Sequence, residues 1–173
     1  KKKKNICATW DGTTTVNSIK LAVNGDFETA TATGTGLNTD NIPLAIASAS
    51  NSSSTNTFNG SISNVAIWNS SLTEDQVLTI YNGGVPNDIS SLSPVGWWSL
   101  AGDSYYNGTD FICPDLGSGG NNGTSIGMGG TELVGNGPGS TSNGIATSMN
   151  IPENLQGNAP NSTKNAFSFF FFF

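Results

Sequence analysis

Residues 58–84 read FNGSISNVAIWNSSLTEDQVLTIYNGG, and this stretch decides the fold. Residues 58–69 have the β-branched and aromatic character of a strand. Ile62, Val65 and Ile67 do not keep a single period, which predicts a bulge or cover on both faces. The second part predicts a short helix. Thr73 suits an N-cap, and Gln76 three residues on completes a capping box. Glu74 and Asp75 fall in the first turn, where the helix dipole favours negative charge. Val77, Ile80 and Tyr81 share one face. Gly83 ends the helix and Pro86 prevents its resumption. So short a helix is unstable alone in water and must dock. The expectation is that it closes one edge or mouth of a sheet.

Upstream, residues 5–10 predict a strand. Ile19, Leu21 and Val23 point one way and Lys20, Ala22 and Asn24 the other, the period-two mark of a half-buried strand. Asn24-Gly25 predicts a tight hairpin, because both residues tolerate positive φ. The return strand is expected from Phe27 to about Thr33, and a further strand over 43–50. Downstream, residues 95–102 (VGWWSLAG) predict another strand, in which Trp97 and Trp98 point to opposite faces, so that one is core. Residues 117–150 are rich in Gly, Asn, Ser and Thr, with isolated Ile126, Met128, Leu133 and Val134. That is too little apolar surface for a separate core. The expected fold is all-β: an antiparallel β-sandwich with one short helix and an extended Gly/Asn/Ser-rich C-terminal arm.

The chain has 173 residues, a length suited to one domain or one domain with an extension. Charged residues make up 10% and hydrophobic ones 35%, so small neutral polar groups replace surface charge. The net charge is −6, yet four of the six basic residues are Lys1 to Lys4. The body holds only Lys20 and Lys164 against twelve acidic residues. Such a surface is a poor match for phosphates, which excludes nucleic acid as an expected partner. Phe169–Phe173 is far short of the ~20 apolar residues that span a bilayer, so no membrane insertion is expected. Residues 1–4 and 169–173 are both homopolymers and are read as artificial or placeholder residues. With no initiator Met and no signal peptide, the chain reads as a fragment. Cys7 and Cys113 can pair in an oxidising compartment or serve as two small buried apolar residues; the second reading is favoured.

The opening stretch resembles the end of a laminin G-like domain of the concanavalin A-like lectin class. In that family a strand F-x-G-x-I-D-E-V-x-I-[YW]-N leads into A-L-[TS]-x-x-Q-[IV]. Phe58, Gly60, Ile62, Val65, Ile67, Trp68, Asn69, Leu72, Thr73, Gln76 and Val77 match it. Upstream, CATWDG and LAVNGD resemble the family's A-x-x-[WF]-D-G and x-V-[ND]-G pair, in the family's order. The resemblance covers residues 5–84 and implies a jelly-roll, laminin G-like sandwich over 5–102 that lacks its N-terminal strands. VGWWSLAGDS with DLGSGGNNGT resembles the beginning of the same kind of domain. Either a second copy begins there or this strand completes the first sandwich, so residues 103–166 are expected to be an arm or completing strands. Residues 81–98 and 157–166 also resemble structural proteins of marine tailed phages. That resemblance implies a virion structural protein (capsid-decoration, fibre or tail-associated), placed at the virion surface or extracellularly. Its implied partners are other virion subunits or copies of itself, and a cell-surface glycan. The alternative is a carbohydrate-binding or adhesion module of a secreted bacterial protein.

Histidine is absent, which excludes Ser-His-Asp, Cys-His and His-metal chemistry. Sandwich glycoside hydrolases carry a closely spaced carboxylate array of the form E-x-D-x-x-E, and no such array occurs. Asp26 and Glu28 are two apart and can share a face. No enzyme is expected, and no cofactor. Calcium is the metal to consider, since the resemblance implies oxygen-ligand sites. Here Ser63 and Asn64 stand where the family has an Asp-Glu pair, which removes two negative charges. Asp11 and Asp26 remain as candidate ligands, each also explained as a solvated turn residue. Tyr105, Tyr106 and Trp98 are candidate sugar-stacking aromatics, with the tyrosines expected in a loop. Trp10 and Trp68 are expected in the core.

Overall fold

The computed structural model describes residues 4–28, 43–47, 58, 62–100 and 103–125, with the backbone of four further strands at 133–134, 143–144, 149–151 and 167–172. In chain order the elements are β1 (Asn5–Trp10), β2 (Ile19–Val23), β3 (Asp26–Glu28), β4 (Leu44–Ile46), β5 (Ser63–Trp68), α1 (Glu74–Tyr81), β6 (Gly96–Trp98), β7 (Tyr105–Tyr106), β8 (Phe111–Cys113), β9 (Gly123–Ser125), β10 (Leu133–Val134), β11 (Asn143–Gly144), β12 (Met149–Ile151) and β13 (Phe167–Phe172). A six-stranded sheet runs β3-β2-β1-β13-β5-β6, and a five-stranded sheet runs β4-β12-β9-β8-β7. Strands β10 and β11 pair with each other as a separate ribbon. The pairings are antiparallel.

The two sheets meet over Ile46, Val65, Trp98, Leu100 and Cys113, with Leu44, Ile62 and Ile67 packed against them. Together they form the antiparallel sandwich, with one short α-helix among the described residues on its outside. That helix is capped as the sequence requires. Thr73 Oγ1 accepts from the Gln76 backbone N–H (3.2 Å), and Gln76 Oε1 accepts from the Thr73 N–H (2.8 Å).

Helix α1 lies on a face of the six-stranded sheet, not at an edge or mouth. Its Val77 and Ile80, with Leu72 and Ile89, pack on Cys7, Ala22, Ala66 and Trp68. The register explains why. Ala22 is opposite Cys7, and Ala66 is opposite Trp97, so β2, β1 and β5 each present a small side chain to the helix. Small residues let helix and sheet approach closely. The same requirement sets the phase of β2. Ala22 is buried and Leu21 is exposed, because the smaller residue fits beneath the helix. The Asn24-Gly25 hairpin forms as expected, with φ of 56° and 83°. A Cβ on Gly25 would come 2.9 Å from Leu78 Cδ2 and 3.0 Å from the Tyr81 ring. Lys20 Nζ reaches Glu74 Oε1 at 3.3 Å, an exposed pair worth little in stability.

The broken period of residues 62–67 is a bulge. Two β5 residues lie between the partners Ser63 and Ala66, whereas one lies between Phe170 and Phe172 on β13. Asn64 sits there with φ 51°. After it, Val65 and Ile67 face the second sheet, while Ala66 and Trp68 face the helix.

One reading of the C-terminal part is narrowed. Residues 105–125 form β7, β8 and β9 of the second sheet, so the extended-arm alternative does not describe them. Cys113 of β8 shares its core with Ile46 of β4, Val65 of β5 and Trp98 of β6. Residues Phe167–Phe172 supply the backbone of β13, the strand between β1 and β5. The return strand expected to reach Thr33 ends at Glu28 among the described residues; 29–42 lie outside them, as do 48–50 and 126–132.

Candidate functional site

Strand β6 is bound to the body by the loop that follows β8. Leu116 N–H donates to the Trp97 carbonyl (2.7 Å), Ser118 N–H to that of Pro94 (3.0 Å) and Gly119 N–H to that of Val95 (2.8 Å). Asp115 is the centre of this loop. Its Oδ1 accepts from the Trp97 and Gly117 N–H groups, both at 2.8 Å, and its Oδ2 accepts from Asn121 N–H at 2.9 Å. A carboxylate that accepts several backbone N–H bonds holds a turn rigidly, since charge-assisted bonds are roughly twice as strong as neutral ones. The close approach also explains glycine here. A Cβ on Gly119 would lie 2.5 Å from the Val95 carbonyl oxygen. The sequence drew attention to DLGSGGNNGT only as a turn, and the role of Asp115 was missed. The signal is an Asp followed by closely spaced glycines.

Trp98 ends in this construction. It is fully buried, and its indole N–H donates to the Asn121 carbonyl at 2.8 Å. It is therefore core between the sheets and not a sugar platform. Alternation along β6 sends its neighbour Trp97 to the helix side, half-buried. Trp10 and Trp68 are buried as expected.

Tyr105 and Tyr106 lie on β7, the edge strand of the second sheet, and not in a loop. They are 53% and 44% exposed. As neighbours in a strand they face opposite ways, so they do not make one flat platform. The Tyr106 ring lies 5.5 Å from that of Phe111 at 50°, which fixes it from one side. Asn107 closes the hairpin: its Oδ1 accepts from the Thr109 (2.9 Å) and Asp110 (2.8 Å) N–H groups.

The candidate metal ligands are not brought together. Asp11 follows β1, and its Oδ1 accepts from Thr13 N–H (2.8 Å) and Thr13 Oγ1 (2.7 Å) as a turn. Asp26 pairs with Val23 at the opposite end of the β1–β2 ladder. Along the four residue steps from Val23 to Ile19 the separation is about 13 Å, several times a Ca–O bond length. Ser63 is fully buried, and its hydroxyl has no hydrogen-bond partner. Asn64 N–H donates to the Ser99 carbonyl (2.9 Å), and its Oδ1 accepts from the Trp97 indole at 3.4 Å. Both are tied into packing. Among the described residues, no group of three or more His, Cys, Asp or Glu side chains could hold a metal ion.

Cys7 and Cys113 are free thiols, one in each core. Burial pushes Cys7 up to about 12. Burial raises Cys113 to about 11, the Ser104 side chain and Leu100 backbone opposing the rise. Both stay protonated and unreactive at neutral pH.

An antiparallel sandwich with helix α1 docked on one sheet is the build of a concanavalin A-like sandwich. Residues 4–78, somewhat under half of the chain, match a family model described as the concanavalin A-like lectin/glucanases superfamily. No curated protein and no solved structure matches the chain.

Proposed function

We propose that the chain is a non-catalytic structural and interaction module of a virion, a capsid-decoration, fibre or tail-associated protein that uses a lectin-like sandwich for assembly or surface attachment. The observation that carries this reading is the exposed Tyr105–Tyr106 pair on an edge strand, set in a surface of small neutral polar residues. Tyrosine binds surfaces and sugars at low entropic cost, being large and amphipathic. The likeness of residues 81–98 and 157–166 to phage structural proteins supports the virion setting. Glucanases share the superfamily description, but glycoside hydrolysis needs two carboxylates flanking the bond. Asp26 and Glu28 share a face on the edge strand β3, and both are exposed. Cryo-electron microscopy of assembled particles should find this sandwich on the particle surface; particles that lack the chain would overturn the assignment.

The second reading, a carbohydrate-binding or adhesion module of a secreted bacterial protein, draws on the same tyrosines. A glycan array, run with and without calcium, separates the two. Binding that is lost in both Tyr105→Ala and Tyr106→Ala favours adhesion. No binding to any glycan, together with incorporation into particles, favours assembly.

A further inference from the structure

Four Asn-Gly pairs lie wholly among the residues whose side chains are described, at Asn24, Asn82, Asn107 and Asn122. Such a pair carries its own reactants. The glycine nitrogen can close on the asparagine side-chain carbonyl, because glycine has no Cβ to hinder the approach and the two groups are held on one chain. The fold treats the four pairs differently. Gly25 is buried, with Leu78 and the Tyr81 ring against it. Gly123 is buried within β9. Asn82 and Gly83 are exposed, but the Asn82 side chain is engaged as a donor, from Nδ2 to the Val85 carbonyl (3.1 Å), so this bond does not draw charge onto its own carbonyl oxygen.

Asn107 differs on each count. Asn107 and Gly108 form the tip of the β7–β8 hairpin, and both are exposed. Gly108 has φ 104°, and a Cβ placed on it would meet nothing within 4 Å. The Asn107 Oδ1 accepts from the Thr109 N–H at 2.9 Å and from the Asp110 N–H at 2.8 Å. The hairpin holds these donors in place, since the Asn107 N–H donates to the Asp110 carbonyl at 3.0 Å. Two fixed N–H groups on one carbonyl oxygen are the arrangement that stabilises a developing oxyanion.

We propose that Asn107 is a self-modification site, at which the Asn107-Gly108 pair deamidates ahead of the other three. The Gly108 nitrogen gives its proton to water and bonds to Asn107 Cγ. The oxyanion forms on Oδ1, between the Thr109 and Asp110 N–H groups. Its collapse breaks the Cγ–Nδ2 bond, and Nδ2 leaves as ammonia, taking its proton from water. The cyclic imide that remains is opened by water on either side, giving aspartate or isoaspartate. No oxidant or reductant takes part. The product places a carboxylate at the hairpin tip, next to Tyr106 and close to Asp110. The isoaspartate form also adds a methylene to the main chain there. The site is thus a slow, one-way change in the exposed edge of the second sheet, and it does not depend on what Tyr105 and Tyr106 bind.

The full chain is held in mildly alkaline buffer, folded and in parallel unfolded in guanidinium chloride, then digested and mapped by mass spectrometry. A deamidated peptide gains the mass difference between an amide and a carboxyl group, and an isoaspartyl methyltransferase marks the isoaspartate form. In the folded chain Asn107 should convert several-fold faster than Asn82, with Asn24 and Asn122 last. In the unfolded chain the four rates should converge, since each asparagine then has the same glycine neighbour and no fixed donors. Asn107→Gln should remove the mass gain from that peptide alone, because the longer side chain closes a cyclic imide far more slowly. A folded chain in which Asn24, Asn82 or Asn122 leads, or in which all four convert equally, overturns the proposal. So does Asn107 left intact in the folded chain while the unfolded sample converts it.

Discussion

The six-stranded sheet is packed on its two faces by different means. On the helix side, a local unit does the work: β5 runs straight into α1, and Val77 and Ile80 fold back onto Ala66 of the preceding strand. Small residues and a side-chain cap suffice there. Between the sheets, the core is assembled from Ile46, Val65, Trp98, Leu100 and Cys113, which come from widely separated segments. Here a polar staple is needed, with Asp115 and its loop gripping β6 so that Trp98 is presented at the right depth. Distant pieces gain order only when fixed backbone hydrogen bonds offset the entropy of bringing them together.

The contrast can be broken most severely at Trp98. Trp98→Ala should cost about 3–5 kcal/mol, measured by denaturant unfolding, because it empties the largest side chain from the inter-sheet core. A loss below about 1 kcal/mol would mean that this core is not the main one. Alkaline titration probes both cores at once, since each holds one thiol. Both folded pKa values are raised, so the unfolded chain releases these protons first as pH rises. Stability is therefore fully present below pH 9, falls progressively above it, and the thiol contributions are lost by the folded values of about 11 and about 12. For Cys7 alone the loss between pH 9 and 11 is of order 2–3 kcal/mol. At neutral pH, alkylation by iodoacetamide should be slow at both sites, and the site that reacts first identifies the core that opens first.

Asp115→Ala should cost about 2–3 kcal/mol by leaving three backbone N–H groups without their acceptor. Trp97, which donates to Asp115 and packs on the helix side, is the link between the two faces, so a departure from additivity with a helix-side change measures the coupling it carries. Thr73→Ala is the smallest test, at about 1 kcal/mol, because it removes only the helix cap. If Thr73→Ala proves costlier than Asp115→Ala, the local unit is the more fragile of the two and the comparison is inverted.

How far the chain could be read follows the same division. The capping box, the Asn24-Gly25 hairpin, the bulge near Asn64 and the strand at 96–98 are all written in neighbouring residues. In β2, alternation tells which residues share a face but not which face is buried. Leu21 is the more apolar residue, yet Ala22 is the one that fits under Val77 and Ile80. Trp98 was named as a surface aromatic for a similar reason: period two distinguishes it from Trp97 without saying which side the second sheet covers. Tyr105 and Tyr106 were found from composition, but that they face opposite ways on an edge strand follows from β7 pairing with β8.

Amino-acid order alone settles the all-β class, the short capped helix and the absence of histidine-based chemistry, because these rest on residue identity and on contacts within a turn or two. Tertiary packing alone decides that residues 105–125 complete a sandwich rather than leave it, that β13 fills the gap between β1 and β5, and that Asp11 and Asp26 stand too far apart to share an ion. Each of those depends on which distant segments meet, and pairing over such separations is set by the fit of whole faces, which no local pattern records.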